Sequence, residues 1–162
     1  MTAYDLEIRH PHHHSDDEAE FFEEMSAQEI MEKFNAMNWK QLQILMLQMR
    51  GGKAEFTVTD NTQNLAVQIS LIEMPETEAL TFNFESDIEV SVEQSNLFGF
   101  LKYSKAVDVA FQGLNLAAAR HLLDAFTHQE LDVIRKLYLQ PDKTSAAEYA
   151  VIQMQSGCSP RR

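Results

Sequence analysis

Residues 53–93 read KAEFTVTDNTQNLAVQISLIEMPETEALTFNFESDIEVSVE, and this stretch decides the fold. Apolar side chains recur in it at every second position: Phe56 and Val58, then Leu65, Val67, Ile69 and Leu71, then Leu80, Phe82 and Phe84, then Ile88, Val90 and Val92. The positions between them are mostly Thr, Gln, Ser, Asn and Glu. Successive side chains of a strand point to opposite faces, so this alternation describes an antiparallel sheet with one greasy face and one wet face. The fold expected is α+β: four to six antiparallel strands, with one face covered by an N-terminal helical segment and two C-terminal helices.

The alternation also sets registers. A two-residue turn at Asn61-Thr62 places Val58 opposite Leu65 and Phe56 opposite Val67. A four-residue loop, Met74-Pro75-Glu76-Thr77, sets Leu71 opposite Leu80 and Ile69 opposite Phe82. Beyond Phe84 a three-residue loop over Glu85–Asp87 keeps phase by pairing Phe84 with Ile88. One strand of about fourteen residues keeps phase as well, but strands are usually about five or six residues long. Residues 97–113 fit a helical face through Leu97, Phe100, Leu101, Ser104, Val107, Phe111 and Leu114. The alternation of Val107, Val109 and Phe111 favours strands turning at Ser104-Lys105, which would pair Phe98 with Phe111 and Phe100 with Val109.

The helices announce themselves by their caps. Ser26 with Glu29 is a capping box, opening a helix with Ile30, Phe34 and Met37 on its stripe and Met31 alongside. Asn38 offers a cap for Trp39 to Arg50, which Gly51-Gly52 ends. There Trp39, Leu42, Leu45, Met46 and Met49 make one apolar face, while Ile44 and Leu47 project from the other side. A helix apolar on two sides is deeply buried or used by a partner. Asn115 caps a helix through Phe126, with Leu116, Ala119, Leu123 and Phe126 inward. Thr127 with Glu130 suggests a second capping box, opening a helix to Leu139 that buries Leu131, Ile134, Leu137 and Tyr138.

The chain of 162 residues carries a net charge of −12, unevenly placed. Residues 1–30 hold nine acids against Arg9 alone, a local charge of −8, which leaves −4 for the remainder. Residues 1–25, with His10, His12, His13 and His14 beside an acid run, read as an acidic, His-rich flexible arm. Residues 26–141 form a single domain and 142–162 a weakly structured tail. The lone Cys158 excludes a disulfide framework and a cysteine-rich zinc site. The N-terminus lacks the pattern of a secretory leader, and no apolar run reaches the ~20 residues that span a bilayer. A cytoplasmic protein without membrane association is therefore expected.

Motifs of chemistry are sparse. No phosphate-cradling glycine loop, nucleophile elbow or zinc-protease helix occurs. His121, Asp124 and His128 have ligand-like spacing, but a cap at Thr127 would put the two histidines on different helices. Glu55, Glu85, Glu89 and Glu93 read as outward carboxylates on a solvated sheet face. The segment Phe126-Thr127-His128-Gln129-Glu130-Leu131-Asp132-Val133-Ile134-Arg135-Lys136-Leu137 resembles the opening helix of helix-turn-helix regulators. That resemblance implies a basic recognition helix to follow, and residues 145–155 contain no base.

The function expected is that of a non-enzymatic protein-binding module, an acidic inhibitor, chaperone or adaptor for a more basic protein, or a homodimer. Ile44, Leu47, Glu23 and Glu24 are the candidate contact residues, and no metal or cofactor is expected. A small regulator touching nucleic acid through its C-terminal helices is the first alternative. A metal protein or enzyme using His121, Asp124 and His128 is the second.

Overall fold

The computed structural model describes residues 2–140 apart from residues 74, 76, 77, 96–98, 100 and 101. The strands are β1 (Tyr4–Arg9), β2 (Glu20–Met25), β3 (Glu55–Asp60), β4 (Leu65–Leu71), β5 (Phe82–Ser95) and β6 (Lys102–Leu114). Helices α1 (Ala27–Ala36) and α2 (Trp39–Gln48) lie between β2 and β3, and α3 (Leu116–Thr127) and α4 (Leu131–Tyr138) follow β6. All strand pairs are antiparallel, in the order β2-β1-β3-β4-β5-β6. The fold is the expected α+β arrangement.

The alternation of residues 53–93 works as read. Phe56, Val58, Val67, Ile69, Phe82, Phe84, Ile88 and Val90 are all buried in one core. The helices cover that face. Trp39 stacks edge-on against Phe82 with ring centroids 5.1 Å apart, and Phe34 of α1 meets Phe56 at 5.3 Å. Tyr138 of α4 meets Phe111 of β6 at 6.0 Å. The helical segment between β2 and β3 is two helices, separated where Met37 turns to extended backbone. The Ser26–Glu29 capping box forms, and Asn38 and Asn115 cap α2 and α3 with their side chains.

The first 25 residues correct the reading of a flexible arm. Tyr4, Leu6 and Ile8 alternate and are buried, because β1 is inserted between β2 and β3 inside the sheet. Three apolar positions in six residues are enough for a strand when both neighbours hydrogen-bond to it. β2 closes the edge beside it, with a bulge where Glu24 takes φ 55° and donates its N–H to Asp5 Oδ1 at 3.2 Å.

Two hairpin registers differ from expectation by two residues, which preserves the faces. Val58 pairs with Val67 and Phe56 with Ile69, across a four-residue loop rather than a two-residue turn. Asp60 causes this: its Oδ1 accepts the N–H groups of Thr62 (2.9 Å) and Gln63 (3.2 Å), a side-chain turn that needs the longer loop. Asn64 supplies the left-handed residue at φ 56°. Leu71 pairs with Phe82 and Ile69 with Phe84; Met74, Glu76 and Thr77 of the connecting loop lie outside the described residues.

Glu85–Asp87 is not a hairpin loop. β5 is one strand of 14 residues, irregular between Glu85 and Glu89 where it leaves β4. Ser86 Oγ donates to the Val109 carbonyl at 2.7 Å, and Asp87 Oδ1 accepts the Ala66 N–H at 2.7 Å. Those two side chains satisfy backbone groups that the irregularity would orphan. Nor does the chain turn at Ser104-Lys105: Ser104 pairs with Glu93 and Lys105 with Val92 within the continuous β6. The helical reading of 97–113 fails with it, and Leu97, Phe98, Phe100 and Leu101 lie outside the described residues, as does the expected tail 142–162. Gly113, at φ 71°, takes the extra residue where β6 bulges, and its N–H reaches Asn83 Oδ1 at 3.3 Å.

Thr127 does not open α4. It is the last residue of α3, with its hydroxyl donating back to the Asp124 carbonyl at 3.1 Å, while Glu130 precedes α4 without a side-chain cap. Between them the N–H of Glu130 bonds the Ala125 carbonyl (2.8 Å) and that of Gln129 the Phe126 carbonyl (3.1 Å). This is a Schellman ending, and it places Gln129 in the left-handed region at φ 62° where glycine is usual. Among the described residues no helix is long and apolar enough to cross a membrane.

Candidate functional site

Among the described residues the helices pack on one side of the sheet, and the other side is open. By the same alternation it presents Asp5 and Glu7 from β1, Glu55 from β3, Glu85, Glu89 and Glu93 from β5, and Asp108 from β6. Opposing them on this face are Arg9 and, at the far end of β6, Lys102. Thr57, Thr59, Ala66, Gln68 and Ser70 fill the centre with short or uncharged side chains. Glu89 and Asp108 lie directly opposite each other across β5 and β6. Like charges in cross-strand register are destabilising, so the sheet tolerates a repulsion here. Relief is low. A depression of about 230 Å³ lies over Ala66, Gln68, Glu85 and Asp87. The carboxylates Glu55, Glu85, Glu89 and Glu93 therefore sit where the alternation placed them, and Gln68 Nε2 donates to Glu55 at 2.8 Å.

The apolar pair on α2 is also outside. Ile44 and Leu47 are 46% and 55% exposed, while Trp39, Leu42 and Met46 are buried on the opposite side of the helix. Glu23 and Glu24 are exposed on β2, an edge strand rather than an arm. Three strands separate β2 from β5, on which α2 packs through Trp39, so the acidic pair and the apolar pair do not make one patch. Phe21, 58% exposed on β2, lies on the open face opposite Glu7; nothing in the alternation of residues 53–93 pointed to it.

His121, Asp124 and His128 all belong to α3 and its cap, not to two helices. His128 Nδ1 lies 2.8 Å from the Asp124 carbonyl oxygen and 3.3 Å from its carboxylate. Both ring nitrogens of His121 are buried without a hydrogen-bond partner among the described residues, and burial pushes its pKa below the ordinary 6.5 against the pull of Asp124 and Glu130. No group of three metal-ligating side chains is gathered anywhere among the described residues. Arg135 on α4 is engaged as well: its Nε donates to the Glu89 carbonyl at 2.9 Å, and its Nη1 pairs with Asp132 at 3.1 Å.

A polar knot built on the buried Tyr4 and Asp60 and closed by two exposed glutamines ties the N-terminal strand to the α3–α4 junction. Asp60, 1% exposed, accepts from Gln129 Nε2 at 2.8 Å and from Gln63 Nε2 at 3.2 Å. Gln129 Nε2 also reaches Tyr4 Oη at 2.8 Å, and Tyr4 donates to the Thr127 carbonyl at 2.8 Å. Gln63 and Gln129 are themselves joined through their amides. Burial raises the Tyr4 pKa above 10; the Gln129 hydrogen bond opposes this and the Asp60 charge adds to it. Tyr4 Oη and both Asp60 carboxylate oxygens, the buried polar atoms here, all have partners, which is the signature of a structural network.

Comparison with protein-family models, with curated proteins and with solved structures finds no match to this chain.

Proposed function

We propose that this chain is a non-enzymatic protein-binding module that takes a basic partner on the open face of its sheet. The observation that carries the reading is the one-sided distribution of the described helices, which leaves a low sheet face with acids from four of its six strands. A surface of like charges repels itself, and a basic partner converts that repulsion into attraction and a fast encounter. Low relief suits a macromolecule better than a small substrate, which needs a cleft to surround it. The exposed Ile44 and Leu47 lie on the helical side and supply a separate apolar contact, for a second copy of the chain. A cytoplasmic setting belongs to the same proposal, since the one cysteine of the chain leaves the fold without a disulfide.

The test reverses charge at exposed positions. Glu85→Lys with Glu89→Lys should leave the fold intact and abolish retention of basic proteins from the native host on the immobilised chain. Wild-type retention should fall steeply as salt is raised. Retention of the same partner by the double variant would refute the proposal.

A further inference from the structure

At the opposite end of β1 the charge pattern inverts. A cleft of about 370 Å³ is lined by Arg9 at the end of β1, by Pro11, His13 and His14 of the loop after it, and by the segment Met49–Lys53. In a chain of net charge −12, Arg9, Arg50 and Lys53 line a single cleft together with two imidazoles. Neither Arg50 nor Lys53 makes a hydrogen bond or ion pair among the described residues, and both are exposed. The acids nearby, Glu18 and Glu20, bond the His14 N–H and His10 Nε2 (3.0 Å), so they flank the imidazole wall and do not pair with Arg50 or Lys53. His13 accepts the His10 N–H on Nδ1 at 3.0 Å, which leaves Nε2–H as its donor.

The two walls are pinned together. A Cβ on Gly52 would lie 2.7 Å from the Pro11 carbonyl oxygen, so only glycine lets the loops close to this distance. Gly51, at φ 81°, makes the turn that brings Arg50 and Lys53 to the same mouth. Arg50 and Lys53 also follow the C-terminus of α2, where positive charge offsets the helix carbonyls. That role needs neither the tight closure on Pro11 nor the imidazoles across the cleft.

We propose that this cleft binds a small phosphate-bearing anion, of the size and charge of a phosphomonoester or diphosphate. Its volume lies at the low end of the range for ligand sites, ~300–1,000 Å³, which admits one or two phosphate groups and a small organic body. A nucleic acid polymer fits poorly, because beyond the cleft it would run over Glu7, Glu55 and the rest of the acidic sheet.

The test follows backbone amide resonances of the full chain while inorganic pyrophosphate is added, with citrate and with chloride at matched ionic strength as comparisons. Pyrophosphate should shift the Gly51, Gly52 and Lys53 amides saturably and chloride should not. Arg50→Gln with Lys53→Gln should raise the pyrophosphate Kd at least about tenfold, with resonances elsewhere unchanged. Gly52→Ala should also weaken binding while keeping every charge, because it forces the walls apart. Absence of saturable shifts, equal binding by the double Gln variant, equal shifts with chloride, or binding of citrate in place of pyrophosphate would each overturn the proposal.

Discussion

Gln129 is held in a conformation that favours glycine, and its side chain is what keeps it there. Two replacements separate these contributions. Gln129→Ala keeps a β-carbon in the left-handed region and removes the amide that bonds Tyr4, Asp60 and Gln63. Buried Asp60 Oδ2 and Tyr4 Oη each lose one donor but keep other partners, and a lost hydrogen bond costs about 0.5–1.5 kcal/mol, so the loss should be roughly 2 kcal/mol. Gln129→Gly removes the same amide but also relieves left-handed strain of roughly 1–2 kcal/mol. Against that relief, glycine loosens the unfolded chain by about 0.4–1 kcal/mol. The net difference should leave the glycine variant about 1 kcal/mol more stable than the alanine variant. Guanidinium unfolding followed by fluorescence reads this directly, because Trp39 is the chain's single tryptophan and is buried against Phe34 and Phe82. An alanine variant as stable as wild type would show that the knot contributes nothing. A glycine variant equal to or weaker than alanine would show that the left-handed backbone is not strained.

Other outcomes follow from the same geometry. Ser26→Ala removes a capping box and should lower stability by about 1 kcal/mol in the same unfolding assay. Ile44→Asp with Leu47→Asp should change stability by no more than about 0.5 kcal/mol each and abolish self-association in analytical ultracentrifugation; a molten double variant would instead place that face in the core. His121 has a folded pKa below its unfolded 6.5, so the unfolded state binds the extra proton first. Its stabilising contribution is thus complete above about pH 6.5 and falls as the pH drops towards the lowered folded value. His121→Leu should flatten the pH dependence of the unfolding midpoint in that window, and an unchanged slope would rule the residue out as its source. Deleting residues 2–9 should unfold the domain, read as loss of dispersed amide resonances, since β2 and β3 would lose the strand between them.

The sheet was legible from residues 53–93 because burial on one face imposes a period of two that no helix shares. The faces survived every error of register, since the loops lengthened in steps of two residues. What escaped was decided by side chains acting on the backbone. Asp60 reads as an ordinary turn residue, yet its carboxylate selects a four-residue loop and anchors Gln129. Ser86 and Asp87 look like a hairpin tip, yet they satisfy the backbone where β5 runs on past β4. Tyr4, Leu6 and Ile8 were masked by the acids and histidines after them, whose composition suggested an arm. The acidic sheet face was readable from Glu55, Glu85, Glu89 and Glu93, because outward positions follow from inward ones. The basic cleft was not, because Arg9 and Lys53 lie 44 positions apart in sequence and are joined only by the closure of Gly52 on Pro11.

The position of β1 bears on how the chain is made. β1 is bordered by β2 within about twenty residues, but its other neighbour, β3, is synthesised some fifty residues after it. The hydrogen bond from Tyr4 to Thr127 spans 123 positions, so the N-terminal strand is secured only after nearly all the described chain has emerged. Such long-range closure makes folding slow for a chain of this size and leaves one flank of a young strand open to chance pairing. The charges on Asp5, Glu7 and Arg9, alternating with its apolar residues, guard that flank during the wait.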